Sequence, residues 1–127
     1  MAGIYIHIPF CKQACTYCNF HFSTSLKLKE EVIKAIMEEL RLQTNYLQGA
    51  SIETIYFGGG TPSLLSADEI NLIFEVIQKN YPILRLKEFT LEANPDDLTP
   101  AYLKTLRNTS VDRLSIGTQS FRDSDLQ

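Results

Sequence analysis

Three cysteines that lie close together are the residues of this sequence best suited to chemistry. Cys11, Cys15 and Cys18 follow a short apolar run with the spacing C-x3-C-x2-C, and the 127-residue chain has no other cysteine. Thiolate sulfur is a soft ligand that selects zinc and iron–sulfur centres. Three protein ligands would leave one iron of a four-iron cluster open, and an open coordination position is where substrate chemistry occurs. The motif therefore predicts a metal or iron–sulfur centre.

A structural zinc site is the alternative interpretation of the same cysteines. His21 follows Cys18 with two residues between them, so that the four side chains would form a Cys3His set. Zinc in structural sites is bound by four such ligands in a closed tetrahedron. The cysteine spacing alone leaves both kinds of centre open.

The composition excludes several classes of protein. Hydrophobic residues make up 44% and charged residues 21% of the sequence, as in an ordinary globular domain. The net charge is −3 and the sequence has no basic stripe, so we expect no nucleic-acid partner. The amino terminus lacks the charged and apolar regions of a signal peptide, and no segment is long enough to span a bilayer. Clustered cysteines in odd number favour a cytoplasmic, metal-binding protein over a disulfide scaffold.

The elements that must position the cysteines alternate between strand-like and helix-like segments. The predicted strands are Ile4–Ile8, Thr54–Phe57, Phe89–Ala93 and Arg113–Ile116, and the helices are Leu26–Leu47 and two that begin at Ser66 and Thr99. Apolar strands that alternate with helices predict an α/β fold with a parallel sheet. Four strands are too few to close a barrel of the (β/α) type, so the sheet is either an open layer or an arc of a barrel. A further helix start at Ser120–Asp123 near the end of the sequence predicts that residues 1–127 are part of a longer protein.

The polar and glycine-rich segments of the sequence follow the predicted strands. The cysteines follow the first strand, a glycine run at 58–60 follows the second, Glu92 ends the third and Gln119 follows the fourth. The carboxyl ends of parallel strands meet at one rim, where α/β proteins bind ligands. Glycines allow a ligand to approach the backbone closely, and a carboxylate accepts hydrogen bonds from a sugar diol or an ammonium group. We therefore expect a binding site at this rim.

Five sequence blocks, taken together, identify a family resemblance. They are the segment Tyr5–Cys11, the C-x3-C-x2-C spacing, the segment Gly58–Pro62, the segment Glu92–Pro95 and the segment Arg113–Phe121. In this order they resemble radical S-adenosylmethionine (SAM) proteins, in particular the oxygen-independent coproporphyrinogen III oxidase family. The resemblance implies that the chain forms the first four strands of a partial TIM-type barrel, the amino-terminal part of a radical SAM domain.

The resemblance also implies the cofactors and the residues that bind them. A [4Fe–4S] cluster would be held by Cys11, Cys15 and Cys18, and SAM would chelate its fourth iron. The reduced cluster would then cleave SAM to a 5′-deoxyadenosyl radical, which abstracts hydrogen from a substrate. The positions that match contacts to this SAM are Tyr5, Gly59 and Glu92, and those that match the surroundings of a second SAM are Tyr17, Gly60, Thr61 and Gln119. The third glycine of the run also stands where the SAM amino group is usually received.

One position departs from the oxidase pattern and divides the family. Oxidases carry a fourth cysteine two residues after the third, where this sequence has Phe20. The end of the cysteine motif, Cys18-Asn19-Phe20, resembles the heme-chaperone branch. The main prediction is therefore a heme chaperone-like protein in porphyrin and heme metabolism. A true coproporphyrinogen III dehydrogenase, which decarboxylates propionates, and a zinc-stapled α/β binding domain are the alternatives.

The resemblance implies a set of partners as well. They are a porphyrinogen or heme, an electron-donor protein and, peripherally, membrane proteins that receive heme. We expect residues 1–127 alone to be inactive and to self-associate through an open sheet edge.

Two further side chains are given no catalytic role from the sequence. His7 lies in the first strand between Ile6 and Ile8 and is interpreted as a hydrogen-bonded core histidine. Arg113 begins the fourth strand and is either the partner of the Glu92 carboxylate or a solvated strand end.

Overall fold

The fold is a parallel sheet with helical connections. A computed structural model describes residues 2–9 and 22–116, and the side chains of its first helix from residue 28 onward. The strands are β1 Ala2–Ile8, β2 Ile52–Gly59, β3 Glu88–Ala93 and β4 Arg113–Ile116. The helices are α1 Phe22–Leu42, α2 Ala67–Asn80 and α3 Pro100–Leu106, and short 3-10 turns cover Pro62–Leu64 and Pro95–Asp97.

The strands pair in sequence order, β1-β2-β3-β4, and every pair is parallel. Tyr5 lies beside Tyr56, which lies beside Thr90, and Glu92 lies beside Ser115. This topology confirms the predicted α/β fold. Within the described residues β1 and β4 form the two edges of the sheet, and self-association through such an edge stays a prediction.

Two helix starts lie where the sequence signals place them. The Ser66 hydroxyl accepts from the Glu69 N–H and the Glu69 carboxylate accepts from the Ser66 N–H, so that the predicted capping box begins α2. Thr99 caps α3 by accepting from the Tyr102 N–H, with Pro100 in the first turn.

Helix α1 differs from its predicted bounds at both ends: it begins at Phe22 instead of Leu26 and ends at Leu42 instead of Leu47. Turns follow it, and Gln48 and Gly49 have positive φ angles of 52° and 79°, which a helix cannot accommodate. Leu47 still packs against the core, from the turn that follows the helix. The predicted helix start at Ser120–Asp123 lies outside the described residues.

The core lies between the helices and one face of the sheet. The buried side chains of this face include Ile8, Ile55, Phe57, Phe89 and Leu91, each at most 1% exposed. Phe57 and Phe89 pack with ring centroids 5.2 Å apart. Isoleucines of α2 at positions 70, 73 and 77 cover them. Burial of this apolar layer is what fixes the register of the strands.

The other face of the sheet is polar, so the strands that were predicted to be apolar are apolar on one face only. The alternate positions of the strands carry Tyr5, His7, Thr54, Tyr56, Glu88, Thr90, Glu92, Arg113 and Ser115. Successive residues of a strand point to opposite faces, so a strand packed on one side alternates in character. Among the described residues no helix has the length and apolar character needed to cross a membrane.

Candidate functional site

The rim formed by the carboxyl ends of β1, β2 and β3 brings together three of the predicted site residues, which are Tyr5, Gly59 and Glu92. Strand β2 was predicted to stop at Phe57, before the glycines, but it continues through Gly59. His7 pairs with Gly58 and Ile8 pairs with Gly59. The glycines are therefore part of the sheet, and their backbone is held in place by the strand beside them.

Glu92 is fixed at this rim by two hydrogen bonds, one to each carboxylate oxygen. The Gly59 N–H donates to Oε1 over 3.0 Å, and the Tyr56 hydroxyl donates to Oε2 over 2.7 Å. Glu92 lies at a half-buried position near the end of β3. A carboxylate oxygen has room for more than one donor, so both oxygens can still accept from a ligand.

Two glycines are required by the close approach of side chains around them. A Cβ atom on Gly58 would lie 2.8 Å from Glu92 Oε1 and 2.8 Å from the Tyr5 hydroxyl oxygen. Gly59 has a φ of 108°, and a Cβ atom there would lie 2.6 Å from Nδ1 of His7. Any other residue type would displace the surrounding groups or strain the backbone. Gly58 was not among the predicted site residues.

Aromatic side chains form the wall of the rim beside Glu92. The rings of Tyr5 and Tyr56 stack with centroids 5.7 Å apart and an angle of 17° between their planes. Tyr5 is 59% exposed, so its ring is available to a flat ligand. The hydrogen bond to Glu92 raises the pKa of Tyr56 above its usual value, and burial of the phenol raises it further. The phenol therefore stays protonated and remains a donor.

The remaining glycine and the threonine of the predicted site are less available. The Gly60 N–H donates to the Ile8 carbonyl over 2.7 Å, which joins the loop after β2 to the end of β1. A ligand ammonium at Gly60 would need an acceptor, such as the carbonyl oxygen of this residue. Thr61 is only 8% exposed, so little of its surface faces a ligand.

A serine ties the loops after β2 and β3 together. The buried Ser63 hydroxyl accepts from the Asn94 N–H over 3.1 Å and donates to an Asp97 carboxylate oxygen over 2.8 Å. Because these loops directly follow the glycine run and Glu92, this link holds the two halves of the rim at a fixed distance.

The structure corrects the interpretation of His7 and decides that of Arg113. His7 is exposed on the polar face, where its Nδ1 lies 3.5 Å from the Tyr5 hydroxyl, so it is not a core histidine. Arg113 pairs with Glu88 over 2.6 Å and not with Glu92. The hydrogen bond from the Thr90 hydroxyl, and to a smaller extent that from the Arg113 guanidinium, lowers the pKa of Glu88 below its usual range.

Five predicted site residues lie outside the described residues. They are Cys11, Cys15, Cys18, Tyr17 and Gln119, and the proposed zinc ligand His21 and the branch-defining Phe20 lie outside as well. Among residues 2–9 and 22–116 no group of three histidine, cysteine or acidic side chains could hold a metal ion.

The described rim has the features of a site for a small polar ligand. It combines a carboxylate whose orientation is fixed, a glycine surface without side chains and an exposed aromatic ring. Tyr56 was not among the predicted site residues, and Gly58 was predicted only as part of the glycine run at 58–60. The sequence signal for Tyr56 was its two-residue spacing from Gly58. Residues with this spacing lie on the same face of a strand, so Tyr56 and Gly58 face the same side of the sheet.

Comparison with known proteins identifies the family of the chain. The model of the radical SAM superfamily matches residues 5–126. The heme chaperone HemW of Lactococcus lactis is 37% identical over 97% of this chain and 32% of its own length. The heme chaperone HemW of Escherichia coli is 36% identical over 98% of this chain and 34% of its own length.

Two further relatives extend the comparison. The mouse protein named radical S-adenosyl methionine domain-containing protein 1, mitochondrial, is 34% identical over 99% of this chain and 29% of its own length. Coproporphyrinogen III oxidase (HemN) from Escherichia coli, described as a radical SAM enzyme, shares the fold with a TM-score of 0.78 and 24% identity, over 96% of this chain and 29% of that chain. The chain thus spans about a third of the length of the curated relatives that it matches. With the family model matched over nearly all of its residues, the chain belongs to the radical SAM superfamily.

Proposed function

We propose that the protein is a heme chaperone-like radical SAM protein, of which residues 1–127 form the amino-terminal part of the radical SAM domain. The curated relatives named heme chaperone are 33–37% identical to this chain. The structural neighbour named as the oxidase is 24% identical. Phe20, at the position of the oxidases' fourth cysteine, points to the same branch.

The cofactors of this proposal are those that the superfamily generally uses, a [4Fe–4S] cluster and SAM. Cys11, Cys15 and Cys18 would hold the cluster, and Tyr5, Gly59 and Glu92 would contact the SAM bound to it. Gly60, Thr61, Tyr17 and Gln119 would surround a second SAM. When bound, the cluster supplies one-electron reduction, and the chain supplies binding, orientation and exclusion of water.

The described part of the rim fits a SAM molecule chemically, and this is the observation that carries the proposal. The space that a Cβ atom on Gly58 would fill lies within 3 Å of both Glu92 Oε1 and the Tyr5 hydroxyl, so only a glycine leaves these groups in place. SAM carries hydrogen-bond donors, the ribose diol and the ammonium group, that match the Glu92 carboxylate. Its adenine is a flat ring that matches the exposed face of Tyr5.

Heme or a porphyrinogen is the small-molecule partner of this proposal. An electron-donor protein and membrane proteins that receive heme are the macromolecular partners. A cytoplasmic location stays a prediction from the cysteine pattern.

Heme binding and porphyrinogen turnover, measured on the full-length protein, test the choice of branch. A chaperone-like protein is expected to bind heme in a spectroscopic titration and to yield no decarboxylated product from coproporphyrinogen III under anaerobic reducing conditions with SAM. Steady formation of the decarboxylated porphyrinogen would overturn the chaperone assignment in favour of the oxidase. Zinc in place of iron and sulfide would overturn both in favour of the zinc-stapled domain.

A further inference from the structure

Tyr56 occupies a place in the rim that the family resemblance does not account for. It lies on β2 three residues before Gly59, and its side chain is half-buried on the polar face of the sheet. Its hydroxyl donates to Glu92 Oε2 over 2.7 Å. No predicted contact to cluster or SAM involves this residue, so its role has to be inferred from its surroundings.

The hydrogen bond from Tyr56 determines how Glu92 is oriented. With the Gly59 N–H on Oε1 and the Tyr56 hydroxyl on Oε2, each oxygen of the carboxylate has its own donor. A single donor would leave the carboxylate free to turn about its last side-chain bond, which is a soft torsion. Two donors at fixed positions hold the plane of the carboxylate. Hydrogen bonds to a charged acceptor are about twice as strong as neutral ones, which makes the restraint effective.

The donor itself is held by neighbouring side chains. The Tyr56 ring stacks on that of Tyr5, 5.7 Å away between centroids, and Tyr5 is paired with it in the register of β1 and β2. Ser115, which lies beside Glu92 on β4, is also close enough to the Tyr56 hydroxyl to affect its pKa. The phenol is therefore positioned by three strands, and its oxygen has little freedom to leave Glu92.

We propose that Tyr56 is a positioning residue of the SAM site that acts through Glu92. It fixes the carboxylate so that the remaining acceptor positions of Oε1 and Oε2 face the hydrogen-bond donors of the ligand, which are the hydroxyls of the ribose diol or the ammonium group. Tyr56 itself does not contact the ligand in this arrangement. The inference rests on the proposed function, because it takes SAM as the occupant of the rim.

The test is the affinity of the full-length, cluster-loaded protein for SAM under anaerobic, non-reducing conditions, in which SAM is bound but not cleaved. Tyr56→Phe removes the hydroxyl and keeps the ring that stacks on Tyr5. We expect it to weaken SAM binding about tenfold, because a carboxylate that is no longer held by Tyr56 must be ordered when SAM binds. Tyr81→Phe is the matched control, because it removes a buried hydroxyl that donates to the Leu40 carbonyl, away from the rim. The control variant is expected to bind SAM as the wild type does.

Two comparisons separate a positioning role from a merely structural one. In a Glu92→Gln background, Tyr56→Phe is expected to have little further effect, since residues that act as a unit are not additive. Two SAM analogues, one without the ribose hydroxyls and one without the amino group, show which donors Glu92 receives. The analogue that lacks the donors facing Glu92 is expected to bind wild type and Tyr56→Phe with the same affinity.

Each outcome has a distinct meaning. An equal loss for SAM and both analogues, or full additivity with Glu92→Gln, would show a structural role and overturn the inference. Unchanged SAM affinity in Tyr56→Phe would overturn it as well, while the proposed function would stand because the wild type binds SAM. If the cluster-loaded wild type does not bind SAM at all, both the inference and the proposed function are wrong.

Discussion

At the scale of single residues, the rim depends on a glycine that no side chain can replace. Gly58 is buried between Glu92 and Tyr5, and its missing Cβ is the space that lets both groups approach the backbone. The neighbouring Gly59 has a left-handed backbone and donates its N–H to the carboxylate. Two adjacent glycines thus serve different purposes, one of space and one of conformation.

The variant Gly58→Ala tests the requirement for space. Its methyl group would lie 2.8 Å from both Glu92 Oε1 and the Tyr5 hydroxyl, so both side chains must move. Overpacking of this kind costs about 1–3 kcal/mol, and we expect SAM affinity to fall about tenfold or more. Thr54→Ala, at an exposed position of the same strand, is the control and should bind SAM normally. Equal affinity of Gly58→Ala and wild type in a binding titration would contradict this account of the rim.

Parts of this site could be predicted at the residue level and others could not. Gly59 and Glu92 were predicted from their places at strand ends, and the structure brings them into direct contact. Tyr56 was not predicted, because a tyrosine within an apolar run has the character of a core residue. His7 was assigned to the core for the same reason. The two-residue spacing of His7 from Tyr5 and of Tyr56 from Gly58 indicated a shared face in each strand, and the pairing of β1 with β2 shows that it is the polar face.

At the scale of elements, the start of α2 carries a charge network that ties it to α1. The Lys29 ammonium group pairs with Glu69 over 2.8 Å and also donates to the Leu64 carbonyl. Burial alone would raise the pKa of Glu69, but the bonds from Lys29 and the Ser66 N–H together hold it below its usual range. A lowered carboxyl pKa contributes stability above pH 4.5 that is lost as the pH falls through the folded-state pKa.

The variant Glu69→Gln tests this contribution. Glutamine keeps an acceptor for the Ser66 N–H but loses the charge that faces Lys29. We expect the variant to be less stable than wild type by about 0.5–1 kcal/mol at pH 7, because the pair is partly exposed to solvent. The difference should shrink when the pH is lowered to 3, because the wild-type carboxyl takes up a proton as the pH falls through its folded-state pKa. Denaturant unfolding at both pH values measures it, and a difference that does not depend on pH would contradict the ionic explanation.

Helix α3 is attached to the loop before α2 through a second pH-sensitive group. The Tyr102 hydroxyl donates to the Leu65 carbonyl over 2.8 Å, and burial raises the pKa of Tyr102 to about 12. Because the folded-state pKa lies above the usual value of 10.0, this stabilisation is present below pH 10 and is lost as the pH rises toward 12.

Tyr102→Phe is therefore expected to be less stable than wild type by about 1 kcal/mol at pH 8, the net value of one hydrogen bond. The difference should decrease when unfolding is measured at increasing pH above 10. Tyr46→Phe, at a position that is 79% exposed, is the control and should match wild type at every pH. A stability difference for Tyr102→Phe that persists unchanged at pH 12 would disagree with the assignment of the raised pKa.

The element boundaries show which sequence signals are sufficient and which are not. The capping residues Ser66 and Thr99 begin their helices as predicted, because capping is a local interaction within one turn. The end of α1 was predicted five residues too late. Apolar periodicity continued to Leu47, which does pack on the core, but the residues from 43 onward form turns, and left-handed residues follow Leu47 directly. Periodicity reports burial, and it does not by itself report the backbone conformation.

At the scale of the whole molecule, the sheet separates stability from function. One face carries the apolar side chains that pack against the helices, and the opposite face carries the polar ladder that ends in the rim with Tyr56, Gly59 and Glu92. Substitutions at the rim end of the polar face are thus expected to change ligand binding more than folding. The parallel topology and the rim could be predicted from the order of apolar segments. The polar face was not predicted, because the strands were interpreted as apolar runs and their two-residue alternation was not used.

The proposed chemistry of the protein depends on the cysteine segment, Cys11, Cys15 and Cys18. The measurement that tests it most directly is the iron and acid-labile sulfide content of the full-length protein purified without oxygen, with absorption spectra before and after addition of SAM. We expect about four iron and four sulfide per chain and a spectrum that SAM perturbs. In Cys11→Ala the iron content should fall sharply, whereas Tyr56→Phe should keep its cluster. One zinc and no sulfide, or unchanged iron in Cys11→Ala, would contradict the central claim that Cys11, Cys15 and Cys18 hold an iron–sulfur cluster beside the Glu92 rim.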